Sequence, residues 1–98
     1  MIILRDSNNH QIAVDEHHLH AVDEFTWRAY SHNDFDTAEV ATDCFRDGAR
    51  TTQMLSRFLM ARILGRELCE NEIVRRKKQR FGTMLDFRDK NLELVETK

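Results

Sequence analysis

One segment constrains the rest of this chain. From Thr51 to Leu64 the residues Leu55, Phe58, Leu59, Ala61, Ile63 and Leu64 recur at the spacing of a helix with a broad apolar face. Thr51 or Thr52 can supply a capping oxygen at its start, so a helix is expected over about 52 to 64. Elsewhere the apolar residues come in short runs cut by polar turns, which is the length scale of strands. A chain of 98 residues, 41% of them hydrophobic, can close one modest core around such a helix and has no room for a second. The expectation is a single domain over residues 1–98, of α+β class, with short antiparallel strands around one central helix.

Ile2-Ile3-Leu4, the polar run Arg5 to Asn9, and Gln11 to Val14 read as a hairpin. Asp15 is a candidate cap for a short helix over about 16 to 25, in which Leu19, Val22 and Phe25 share a face. Thr26 to Tyr30 and Ala38 to Phe45 read as further strands, the second ending at the turn signal Asp47-Gly48. Gly65 interrupts or ends the central helix, Glu72 to Phe81 leads to Gly82, and Leu85 to Leu94 passes into a final short helix or strand. Six Phe, Trp27 and Tyr30 supply the large apolar pieces of the core.

Composition excludes several classes. No apolar run approaches the roughly 20 residues that cross a bilayer, and the start MIILRDSNN lacks the flank and apolar stretch of a signal peptide, so a soluble, cytoplasmic protein is expected. Cys44 and Cys69 form no CxxC pair and read as buried thiols in a reducing compartment. The net charge of −2 hides an asymmetry: residues 1–50 carry ten Asp/Glu against four Lys/Arg, a balance of −6, and residues 51–98 carry seven against eleven, a balance of +4. A dedicated DNA-binding domain usually presents an overall basic face; here one basic run stands beside an acidic half.

The order and spacing of several elements resemble the small phage HNH (His-Asn-His) endonucleases of the homing type. Val14-Asp15, Leu19 and Phe25-Thr26-Trp27 match the family's front region; Asp47-Gly48 and Leu55-Ser56-Arg57-Phe58-Leu59-Met60 match its middle. Lys78 to Leu92, including Leu85-Asp86-Phe87-Arg88 and Asn91-Leu92, matches its metal-binding end without a gap. The resemblance implies a C-terminal ββα-metal-like remnant and assigns Lys78 to the place of the metal-binding acid, Gln79 to that of the general base and Phe87 to that of the middle Asn; Asn91 alone of the set is kept. An ammonium repels a cation, and a carboxamide takes up no proton near neutral pH. Loss of a general base alone typically removes about two to four decades of rate. Ser56, where the family often has His, points the same way, so no catalytic residue and no enzymatic activity are expected.

The expected function is therefore that of a catalytically inactive HNH-like protein of a phage or mobile element. It acts by binding, most plainly by inhibiting a host nucleic-acid-handling defence protein in the manner of an anti-CRISPR. Asp15, Glu16, Asp23, Glu24, Asp34 and Asp36 form an acidic set suited to a basic groove on such a partner. Arg75, Arg76, Lys77, Lys78 and Arg80 form a basic run suited to a partner or to phosphates, or else a solvated strand edge. The alternatives are a non-cutting DNA-binding regulator and a residual metal-dependent nicking enzyme using the His17 cluster or Asp86 as substitute ligands. His17, His18 and His20, with Asp15, Glu16 and His10 nearby, read as solvated surface groups, so neither metal nor cofactor is expected. Trp27 and Tyr30 could stack on bases, but the resemblance implies that Trp27 is core, and an exposed sheet edge makes a homodimer plausible.

Overall fold

The structure, a computed structural model, describes residues 1–6, 9–30, 39–78, 80–82 and 84–96. Along the chain run β1 (Ile2–Arg5), β2 (Gln11–Val14), α1 (Leu19–Val22), β3 (Arg28–Tyr30), β4 (Glu39–Arg46) and β5 (Ala49–Met54). They are followed by α2 (Leu55–Leu64), β6 (Glu72–Arg76), β7 (Arg80–Phe81), β8 (Met84–Asp86) and β9 (Leu92–Glu96). Among the described residues, two 3₁₀ turns, Glu16–His18 and Asp89–Asn91, complete the order. The class is α+β, as expected. None of the described helices is long and apolar enough to cross a membrane.

Among the described residues the strands form three small sheets, two of which pack directly on α2. The first has the order β1-β2-β8-β7, the second β3-β4-β5, and the third pairs β6 with β9. Among the described residues all pairings but one are antiparallel; β2 and β8 run parallel, with Ile12 opposite Leu85 and Ala13 opposite Asp86. That pairing joins the two ends of the chain and makes β2 an inner strand. Ile12, Ala13 and Val14 are accordingly all buried, where an edge strand would alternate. The core gathers these residues with Val22, Trp27, Val40, Leu55, Leu59, Leu85 and Phe87. Trp27 is core, as its place in the pattern suggested: its ring meets Phe25 and Phe58 at centroid distances of 5.8 and 5.5 Å, and its indole N–H donates to the Val22 carbonyl at 2.8 Å.

Tertiary pairing redraws the helix starts. Residues 49–54, Thr51 and Thr52 among them, pair with β4 as far as Ala41 opposite Met54, so the central helix begins at Leu55, three residues later than its apolar pattern suggests, and has no side-chain cap. Its end falls where expected, with Gly65 in the left-handed region at φ 71° and its N–H donating to the Ala61 carbonyl at 2.9 Å. The first helix is reduced to a 3₁₀ turn and the four residues of α1. Asp15 does not cap it, because its carboxylate accepts the Asp89 backbone N–H at 2.7 Å.

At the Asp47-Gly48 turn both residues have positive φ, 54° and 78°, which matches the right-handed twist of the two strands it joins. The ribbon carries Phe45 outward, 79% exposed, and Tyr30 is also exposed, so two of the large aromatic residues expected in the core lie at the surface. Cys69 is exposed and Cys44 partly so, in contrast to the buried thiols expected: Cys69 lies in the loop after α2, where its N–H donates to Glu72 at 2.8 Å. A ββα arrangement continues its hairpin into a helix; after β7 and β8 this chain has one 3₁₀ turn and then β9.

Candidate functional site

The Asp89–Asn91 turn places two different polar clusters side by side. On its inner side is buried Asn91. Its amide nitrogen donates to the Lys78 carbonyl at 2.7 Å and to the Asp86 carbonyl at 2.8 Å, while its amide oxygen accepts the Lys78 N–H at 3.0 Å. All three bonds are to backbone. Asp86 is closed as well: Arg88 donates Nε to Oδ1 and a terminal nitrogen to Oδ2, both at 2.8 Å, and adds its own N–H at 3.1 Å. Burial pushes the Asp86 carboxyl up, but the Arg88 hydrogen bonds outweigh it and hold it below its ordinary range.

Phe87 is fully buried, and the Arg76 guanidinium lies 4.7 Å from its ring centroid. Arg76 is thus withdrawn from the basic run in which the sequence placed it, because strand alternation turns Glu72, Val74 and Arg76 inward and Ile73 and Arg75 outward. Burial lowers its pKa against the opposing charges of Glu39 and Asp86, and burial raises Glu39 against the charge of Arg76. Arg75 pairs with Glu93 at 2.9 Å. Lys77 and Lys78 are exposed; Gln79 lies outside the described residues, and of Arg80 only the backbone is described. The run is therefore no continuous basic face.

On the outer side of the turn, His17 Nε2 lies 2.9 Å from Asp89 Oδ2 and His18 Nε2 lies 2.8 Å from Asp89 Oδ1. The three ligand-type atoms all lie within 4.8 Å of one another. His18 is 2% exposed, so the expectation of solvated histidines fails for it; its Nδ1 accepts the Arg62 Nε–H at 3.1 Å. His20 is no member of this group, and His10 belongs elsewhere, bonding Asp6 through Nδ1 and through its N–H, each at 2.8 Å. Asp6 also accepts the Ala29 N–H at 2.9 Å; burial raises its pKa, and the His10 and Ala29 bonds bring it below its usual value.

Sequence reasoning missed Asp89 and Arg62, the partners that gather the histidines. Seventy-one positions separate His18 from Asp89. The parallel register of β2 and β8, continued a few residues, lays the 15–18 segment beside 88–91. No local spacing encodes that pairing.

The acidic set is only partly gathered. Asp15 bonds the Asp89 backbone, Glu16 pairs with the terminal ammonium of Met1 at 3.2 Å, Asp23 and Glu24 are exposed just past α1, and Asp34 and Asp36 lie outside the described residues. Comparison with known protein families, with curated proteins and with solved structures gives no match.

Proposed function

We propose that this chain works by binding and not by cutting, as an inactive HNH-like protein of a phage or mobile element that blocks a host nucleic-acid-handling defence protein. The observation that carries the reading is Asn91. The one residue kept from the HNH set directs its whole amide at the backbone of Lys78 and Asp86, and Phe87 beside it is core. A nuclease of this type needs a base and a metal-binding acid facing the scissile phosphate. In the sequence, Lys78 and Gln79 take those two positions of the pattern, Lys78 as an exposed ammonium, and the nearby Asp86 carboxylate is engaged on both oxygens by Arg88.

The acidic segment from Asp15 to Glu24 supports the choice of partner. Exposed Glu16, Asp23 and Glu24 suit a basic, nucleic-acid-binding surface, where complementary charge speeds association and fixes register. Binding to DNA through the basic run has less support, since Arg76 is buried and Arg75 is paired. The test is a partner isolated from host lysate and purified, then titrated against the wild type and the Asp23→Lys/Glu24→Lys variant. Reversal is expected to slow association and weaken affinity by about tenfold or more. Unchanged binding would contradict the acidic interface, and salt-sensitive binding to duplex DNA in place of any protein would overturn the partner class.

A further inference from the structure

We propose that His17, His18 and Asp89 form a binding site for a divalent transition-metal ion of the zinc class, and that Arg62 holds the site closed. Two imidazoles and one carboxylate are a donor set that zinc, cobalt and nickel accept. They come from two segments brought together by the fold, and each carboxylate oxygen faces one ring nitrogen. The pocket is built on its inner side and open on its outer side: His18 is buried, while His17 is 63% and Asp89 28% exposed. An ion can therefore enter past His17 and keep a water or a partner's side chain as its remaining ligand. Asp15 accepts the Asp89 backbone N–H and so anchors the backbone from which the carboxylate projects.

Arg62 decides whether the site is open. A guanidinium can only donate, so His18 Nδ1 must be the acceptor of the 3.1 Å bond, and the ring hydrogen of neutral His18 then sits on Nε2, donating to Asp89. Metal ligation through Nε2 needs the opposite tautomer, with hydrogen on Nδ1. That hydrogen would point at the Arg62 Nε–H, donor against donor. Ion and guanidinium therefore exclude one another, and binding requires the Arg62 side chain, which lies at the exposed end of α2, to swing away. His17 makes the same tautomer change freely, because its ring is largely in water. No net proton is released in either shift.

The experiment is calorimetric titration of the full chain with Zn²⁺, repeated with Co²⁺ while recording its visible absorption. The variants are Arg62→Met, His17→Ala and His20→Ala. One ion per chain is expected, with Arg62→Met binding at least about tenfold tighter and His17→Ala at least about tenfold weaker, the range seen when groups around a metal are altered. His20→Ala should bind as the wild type does. Co²⁺ should give the intense visible bands of a low-coordinate site in Arg62→Met and lose them in Arg62→Met/His17→Ala. Melting curves without metal check that each variant folds; His18→Ala is avoided because its ring is buried. Failure of Arg62→Met to tighten binding, or binding indifferent to His17→Ala, would overturn the proposal, as would no uptake by either the wild type or Arg62→Met.

Discussion

Asp89 and Asn91 are two residues apart on one 3₁₀ turn, yet their surroundings differ in kind. Asn91 faces backbone: its amide bonds the carbonyl and N–H of Lys78, in the segment after β6, and the carbonyl of Asp86. Asp89 faces other side chains, the exposed imidazole of His17 and the buried one of His18. A side chain locked to backbone in the interior is part of the scaffold, because leaving its partners bare costs about 1–3 kcal/mol for each buried group. Groups that face one another at the surface can be exchanged for a ligand. The comparison teaches that Asn91, the one residue that matches the HNH-like catalytic pattern, is bound up in the backbone, while the polar side chains that face one another belong to residues outside that pattern.

The largest effect is expected on the closed side. Phe87→Ala should cost about 3–5 kcal/mol, the usual loss for deleting a buried ring, and it also strips Arg76 of its stacking surface. Urea denaturation measures it; a loss under about 1 kcal/mol would mean that Phe87 is less tightly packed than described. Asn91→Ala should cost about 2–3 kcal/mol, since carbonyls of Lys78 and Asp86 lose their donor. Equal stability of that variant would show that the loop does not depend on the amide.

Acid sharpens the comparison at a third closed group. The Arg66 guanidinium, at 2.8 Å on both carboxylate oxygens, and the Cys69 N–H hold Glu72 at about 2, below its ordinary 4.5. A depressed carboxyl contributes its stability above the unfolded value and loses it as pH falls through the folded one. The wild type should therefore lose stability progressively from about pH 4.5 towards 2, and Glu72→Gln should melt lower at neutral pH with a shallower acid slope over that window. Parallel slopes for the two proteins would remove Glu72 from the account. The smallest effect belongs to the open surface: His17→Ala and Phe45→Ser should each stay within about 0.5 kcal/mol of wild type, as exposed positions usually do.

Much of the fold was legible in the sequence, because its signals are local. The apolar repeat from Leu55 to Leu64, the stop at Gly65 and the Asp47-Gly48 turn each follow from residues close to one another in the chain, while the core place of Trp27 was read from its position in the resembled pattern. What misled was tertiary. Thr51 and Thr52 have cap chemistry but belong to β5; Asp15 has cap chemistry but is taken by Asp89; Arg76 sits in a basic run but points into the core. The candidate site was half legible. The histidines stand out by composition, whereas Asp89 and Arg62 join them through the parallel β2–β8 pairing and the packing of α2, which no spacing announces.

The claim at the centre is that the chain binds without cutting. The direct measurement incubates supercoiled plasmid with the protein and Mg²⁺ or Mn²⁺, reading nicks and salt-dependent retention on one gel. The account predicts intact plasmid with both metals and at most weak retention that fades with salt. Metal-dependent nicks that disappear in Asp86→Asn would contradict it.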